Sequence, residues 1–169
     1  MKEIEIIVVD DGSTDTTSQL MDYFIKKDKR VKHYRLPRNR GRSYARNYGN
    51  QKAQADIICV QDADDMSVRE RAEMVYKHFR KYPDVDVFYS SFYVTDMYGM
   101  PLKEIKARSF NYRNVKETGV TYVGHSTMAY RKSSVLKVPY IDGDYSKLGL
   151  DDWRLQMDLF RLKYKFRYV

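Results

Sequence analysis

The sequence predicts an α/β fold, a mostly parallel sheet with helices on both faces. Strand-like and helix-like segments alternate in the order β-α-β-α-β-α-β, and that order calls for parallel strands joined by helical crossovers. The runs "IEIIVV" (Ile4 to Val9) and "DIICVQ" (Asp56 to Gln61) are too short for helices and apolar on both faces, as strands covered on both sides are. The 169 residues are 43% apolar, enough to bury one core, and no repeat or linker divides them.

Each element follows from its residues. Ile4–Val9 forms the first strand and runs into "DDGSTD". Leu20, Met21, Phe24 and Ile25 recur at helical spacing, and "VKHYRL" is a short second strand. "GRSYARNYGNQKA" reads as a helix, and Asp56–Gln61 as the next strand. Ser67 opens a further helix, with Glu70 completing a capping box and Ala72, Val75, Tyr76 and Phe79 forming the inner stripe. "DVDVFYSSFYV" is one strand after Pro83, the stretch Thr95–Gly119 is irregular, and "TYVGHSTMAYR" is another strand. Pro139–Leu150 is a loop, and Leu150, Trp153, Met157 and Phe160 mark a last helix. The tail alternates Leu162, Tyr164, Phe166 and Tyr168 with Lys163, Lys165 and Arg167, as a strand with one basic face does.

Composition excludes several classes. No apolar run approaches the roughly 20 residues of a membrane span, and "MKEIEIIVVDDG" lacks the layout of a signal peptide. A lone Cys59 inside an apolar run reads as core packing in a reducing, cytoplasmic setting. The net charge of +8 favours an anionic partner, and ten basic residues against one acid fall between Lys26 and Arg46. That run suits a solvated face or the anionic inner face of a membrane.

Ligands of an open parallel sheet bind at the carboxyl ends of its strands. Two strands here end in acid: Asp10-Asp11, and Asp62 with Asp64 and Asp65. In extended chain Asp62 and Asp64 would point the same way, roughly 7 Å apart, and repel by about 2–3 kcal/mol at an effective dielectric of ~20. A divalent cation beside them, Mg²⁺ or Mn²⁺ completing its shell with phosphate oxygens, would remove that cost. Alternatively, Asp64 and Asp65 merely precede and cap the following helix.

Four blocks, "VVDDGSTD", "NRGRSYARN", "QDADD" and "GLDDWRL", occur in this order from Ile4 to about Leu162. Together they resemble glycosyltransferase family 2, the inverting nucleotide-sugar-dependent enzymes of GT-A fold. The resemblance implies a nucleotide-binding half over about 1–94 and an acceptor-side half over about 95–169. It implies that Asp10 and Asp11 shape the base pocket, that Asn39 and Gly41 shape the turn before Arg46, and that Arg46 faces the diphosphate. Asp62 would reach the ribose, and Asp64, with Asp65 beside it, would hold Mn²⁺ or Mg²⁺. Asp152 becomes the general base toward a glycan or lipid-linked acceptor. Asp replaces the family's Glu at Asp151, which leaves the choice between the two acids open. His125 and Trp153 fall where acceptor contacts are expected. UDP is the donor nucleotide favoured by the resemblance alone.

The family also places one strand and helix before the equivalent of Ile4, so a shortened domain is expected, stabilised by strand exchange in a homodimer. An inactive family relative acting in assembly is the alternative. A receiver-type phosphoacceptor domain and a basic nucleic-acid-binding module explain fewer of the blocks, and no nucleic-acid partner is expected.

Overall fold

The computed structural model describes residues 3–143 and 147–169. Of the loop expected over Pro139–Leu150, residues 144–146 lie outside the described ones.

The element order is β1 (Ile6–Asp10), α1 (Thr17–Lys27), β2 (Val31–Arg35), α2 (Arg42–Lys52), β3 (Ile57–Cys59), α3 (Arg71–Lys81), β4 (Val87–Tyr89), β5 (Phe92–Thr95), β6 (Pro101–Ile105), α4 (Tyr112–Thr118), a 3₁₀ turn (His125–Thr127), β7 (Ala129–Arg131), α5 (Lys132–Lys137), α6 (Asp151–Arg161) and β8 (Phe166–Tyr168). The α/β class stands, with strand directions more mixed than expected. β1–β2 and β4–β8 are parallel, whereas β3–β7, β4–β7 and β5–β6 are antiparallel. The reversal comes from β7. It enters the centre of the β3-β7-β4-β8 sheet against its neighbours, by way of the 3₁₀ turn rather than a helical crossover.

β1 and β2 form a sheet of their own, not hydrogen-bonded to β3. Two strands are too narrow to cover an amphipathic helix. Of the stripe expected on α1, Met21 is buried while Leu20 and Phe24 remain exposed. Ile6 is likewise exposed on β1. Among the described residues β3 pairs on one side only, with β7, and Cys59 is exposed instead of in the core.

The main core lies between the four-stranded sheet and α6. Val87, Tyr89, Met128, Tyr130, Val135, Leu155 and Leu159 form it, with a second cluster of Phe79, Val85, Phe88 and Ala129 under α3. Local departures from the expected elements have local causes. The capping box does not form: α3 starts at Arg71, and the Ser67 hydroxyl bonds Gln61 instead. Tyr76 faces water, since Ala72, Val75 and Phe79 already fill the contact. The strand expected over 84–94 breaks at Ser90-Ser91, and the stretch 95–119 contains β6 and the short α4. Asn111 caps α4 by accepting from the amides of Arg113 and Asn114, and Gly119 at φ 73° closes it.

α2 positions the site. Its tyrosines Tyr44 and Tyr48 stack along the helix, with Arg40 above Tyr44 and Lys52 beside Tyr48. Its polar residues turn inward: Ser43 and Asn50 are buried. Gly49 faces β1, beside the side chains of Val9 and Ile7.

Candidate active site

Three chain segments converge on α2: the ends of β1 and β3, and the first turn of α6. After β1 the chain must turn sharply, and Gly12 does so at φ 76°, so close to the Arg38–Asn39 backbone that a Cβ would sit 2.6 Å from the Arg38 carbonyl carbon. The neighbouring acids then divide. Asp10 turns inward, 4% exposed, with Oδ1 accepting from the Ser13 amide at 2.7 Å. Its other oxygen, 3.6 Å from Arg35 Nε and 3.8 Å from His33 Nε2, has no hydrogen-bond partner. Burial pushes this carboxyl up, but the Ser13 hydrogen bonds and the Arg35 charge outweigh it and hold the pKa low. Asp11 turns outward and accepts the amides of Arg40 and Gly41, each at 2.8 Å, one on each oxygen. Asn39 also accepts from Gly41 at 3.1 Å. These carboxyl and amide oxygens fix the loop that leads into α2, whose first flanking residue is Gly41 at φ 88°.

Arg46 is the centre of the arrangement. One end nitrogen donates to Asp151 Oδ2 at 2.6 Å and the other to Asp62 Oδ1 at 3.1 Å. The guanidinium thereby joins the loop after β3 to the start of α6, 105 residues away in the chain. Both end nitrogens are engaged by carboxylates rather than presented free. Burial alone would lower its pKa, yet the groups around it, the Asp62 and Asp151 carboxylates among them, raise it. Asp151 is 1% exposed and also accepts Arg42 Nε at 2.8 Å, so two arginines one helical turn apart grip it. Asp152, one residue on, is half-buried and, among the described residues, accepts the amide of Trp153 alone, at 2.7 Å. The first turn of α6 therefore separates a bound acid from a free one.

Asp62 is held from a second side. The ring of His125 lies 3.3 Å away through Nδ1, and its Nε2 is 2.8 Å from the Tyr140 hydroxyl. The hydrogen bond from His125 keeps the Asp62 carboxyl well below the usual carboxylate range; burial opposes it and Arg46 adds to it. An ionised Asp62 can only accept, so Nδ1 carries the proton and, in the neutral ring, Nε2 accepts from Tyr140. Burial keeps the Tyr140 phenol neutral, its pKa well above the ordinary value. Its backbone is tied to α2, with Asn47 accepting the Tyr140 amide at 2.9 Å and donating to its carbonyl at 2.7 Å. Tyr130 lies behind, 3.4 Å from the Tyr140 hydroxyl and donating to Asn50 at 3.1 Å.

Asp64 and Asp65 do not join this group. Residues 62–65 form a turn closed by the Asp65 amide on the Asp62 carbonyl at 3.2 Å, so the extended geometry that would align Asp62 with Asp64 is absent. Both later acids are exposed. Behind the turn, Arg71 holds the loop by donating to the carbonyls of Val60 and Met128 and to Gln61 and Ser67. Among the described residues no cluster of three or more His, Cys, Asp or Glu side chains is arranged to hold a metal ion. Two exposed carboxylates do fit Mg²⁺ or Mn²⁺ that arrives with a diphosphate, because such ions keep phosphate and water oxygens in their shell.

Trp153 donates its indole N–H to the carbonyl of Gly119 at 3.1 Å and clips the end of α4 to α6. His125, expected near an acceptor, is 8% exposed with both ring nitrogens engaged. Sequence reasoning missed Arg42, Asn47, Asn50, Tyr130 and Tyr140. The signal for the first three was there: Arg42, Arg46 and Asn50 recur every four residues on α2, with Asn47 beside them. Nothing in the sequence marked the two buried tyrosines.

The fold is of the GT-A type, as its likeness to solved GT-A glycosyltransferase domains shows. It is similar throughout to a Staphylococcus aureus TarS structure solved with UDP, at a TM-score of 0.73 and 20% identity over 99% of this chain and 48% of that one. A Pyrobaculum calidifontis mannosyltransferase solved with GDP-Man and Mn²⁺ gives a TM-score of 0.68 at 18% identity, over 98% of this chain and 45% of that one. The family profile of Glycosyl transferase family 2 matches residues 1–138, and the chain belongs to that family. An uncharacterised glycosyltransferase of Haemophilus influenzae is 44% identical over 72 residues, 43% of this chain and 29% of its own length. One from Methanocaldococcus jannaschii is 30% identical over 112 residues, 66% of this chain and 39% of its own length. The chain thus spans well under half of those relatives. No helix among the described residues is long and apolar enough to cross a membrane.

Proposed function

We propose that this chain carries the donor site and general base of an inverting glycosyltransferase that moves a sugar from a nucleotide-diphosphate donor, UDP-linked by preference, to a glycan or lipid-linked acceptor. The observation that carries the reading is the Arg46 bridge. It brings Asp62, at the end of β3, to the start of α6, and leaves Asp152 as the uncommitted carboxylate beside a bound Asp151. Asp152 takes the proton of the acceptor hydroxyl as that oxygen attacks the anomeric carbon from the side opposite the diphosphate. A positioned base of this kind contributes roughly 10²–10⁴-fold. Asp11 and Asn39 set the loop against which the nucleotide lies, and Asp62 binds the nucleotide with its free lone pairs. Asp64, with Asp65 beside it, would hold Mn²⁺ or Mg²⁺, which when bound neutralises charge on the departing diphosphate.

The basic run Lys26–Arg46 does not form one patch. Arg30 pairs with Asp28, Lys32 with Glu5, and Arg42 and Arg46 with Asp151. With Arg35 beside Asp10, contact with an anionic membrane falls to Lys26, Lys27, Lys29, Arg38 and Arg40.

The test is calorimetric titration with UDP and GDP, with and without Mn²⁺, on the wild type, Asp64→Ala and Asp152→Asn. Metal-dependent binding lost in Asp64→Ala, with binding kept but transfer abolished in Asp152→Asn, supports the reading. Equal metal-dependent binding in Asp64→Ala removes the metal assignment, and full turnover in Asp152→Asn removes the base.

A further inference from the structure

We propose that His125 is a positioning residue for Asp62, fixing its carboxylate in the orientation that meets the donor nucleotide; this rests on the donor-site reading above. The geometry differs from that of an ordinary ion pair. In surface pairs both partners are wet, and in core pairs both are dry. Here a third of the Asp62 side chain stays exposed, at 34%, while His125 is buried, its side chain at 6%, and Arg46 is partly covered at 21%. His125 engages Oδ2 and Arg46 engages Oδ1. A carboxylate has about four lone-pair sites, so roughly half remain for a ligand, with the plane of the group already set.

The support continues behind the ring. The Tyr140 hydroxyl lies 2.8 Å from Nε2, and by donating there it favours the neutral tautomer with the proton on Nδ1, facing Asp62. Tyr140 is itself immobilised, its ring 2% exposed and its main chain bonded in both directions to Asn47. The residue after His125 acts on the same target, with Ser126 Oγ accepting the Asp62 amide at 3.1 Å. Side chain and backbone of Asp62 are thus fixed from one two-residue segment of the 3₁₀ turn. A histidine that only filled the core would need neither ring nitrogen placed, nor a phenol choosing between them. An acceptor contact would need exposed ring surface, which His125 lacks.

The consequence is preorganisation. Freeing one carboxylate side chain means re-ordering it at every binding event, a cost that weakens affinity by about three- to tenfold. The experiment measures UDP and GDP affinity by calorimetry, with Mn²⁺ present, for the wild type, Asp62→Ala, His125→Ala, His125→Asn and Tyr140→Phe, alongside the thermal midpoint of each.

The expected result is a three- to tenfold loss in His125→Ala, a smaller loss in Tyr140→Phe, and recovery toward wild type in His125→Asn. The asparagine amide replaces the Nδ1 donor to Asp62 but leaves Tyr140 without its partner. Midpoints should therefore fall in both His125 variants while affinity separates them. Unchanged affinity in the His125 variants and Tyr140→Phe, with Asp62→Ala impaired, overturns the positioning role and leaves the donor site intact. Equal affinity loss in His125→Asn and His125→Ala also overturns it, by reducing His125 to packing. Absence of nucleotide binding in the wild type, or full binding in Asp62→Ala, removes the donor-site reading and this inference with it. Tyr140→Phe keeps the ring in place, so the comparison survives if His125→Ala fails to fold.

Discussion

Asp151 and Asp152 are adjacent acids in the first turn of one helix, and replacing each by asparagine should give opposite phenotypes. Asp151 is 1% exposed and its two oxygens take Arg46 at 2.6 Å and Arg42 at 2.8 Å. The Asp151→Asn change leaves the shape and removes the charge. Breaking a buried pair by removing one partner costs about 3–5 kcal/mol. Two adjustments lower that figure. Arg42 is 46% exposed and its share is screened by water, and Arg46 keeps Asp62 as a partner. Loss of a negative charge from a helix N-terminus adds about 0.3–1 kcal/mol. A destabilisation of about 2–4 kcal/mol remains, or roughly 6–12 °C in thermal midpoint for a chain of this size. Among the described residues Asp152 accepts the following amide alone, which asparagine also satisfies, so Asp152→Asn should lose little beyond the charge at the helix N-terminus, about 0.3–1 kcal/mol. Urea unfolding read by far-ultraviolet circular dichroism and by fluorescence of Trp153, the sole tryptophan, measures both. Equal losses in the two variants, or a loss below about 0.5 kcal/mol in Asp151→Asn, would refute the division of labour argued for this turn.

Three further outcomes follow from the same geometry. Arg46→Lys should destabilise by about 2 kcal/mol, since an ammonium cannot place two donors in the guanidinium's fixed fork, and equilibrium unfolding will show it. Gly12→Ala should cost at least about 2 kcal/mol, through the positive φ and the close approach of the Arg38 backbone; a stability equal to wild type would mean that this turn relaxes freely. The depressed pKa of Asp62 makes its contribution to stability fully present above the ordinary carboxylate value near 4 and lost as pH falls below it. Thermal midpoints from pH 7 down to pH 2 should therefore fall more steeply for wild type than for Asp62→Asn, and parallel curves would contradict the linkage.

The reach of sequence reasoning is clearest where local rules and tertiary contacts pull apart. The capping box at Ser67 satisfies every local criterion, yet the hydroxyl bonds Gln61, beside Arg71, because the loop behind the 62–65 turn needs that network. The repulsion argued between Asp62 and Asp64 assumes extended chain, and the turn that removes it also frees Asp62 to meet Arg46 and His125. His125 looked like an acceptor contact from its place in the chain, and only packing shows that both its nitrogens are engaged inside.

The sequence by itself determined the α/β class, the acids at the ends of β1 and β3, and the acid pair opening α6, because hydrophobic period and strand-end chemistry act over a few residues. Tertiary structure alone decided how these acids divide, with Asp62 and Asp151 gripped by Arg46, Asp10 buried, Asp11 on loop amides, and Asp64 and Asp65 exposed. That division depends on partners up to 105 residues distant, Arg46 to Asp151, and on polar residues of α2 that face inward. Carboxylates adjacent in the chain are equivalent until burial and a guanidinium distinguish them, and no short-range pattern carries that information.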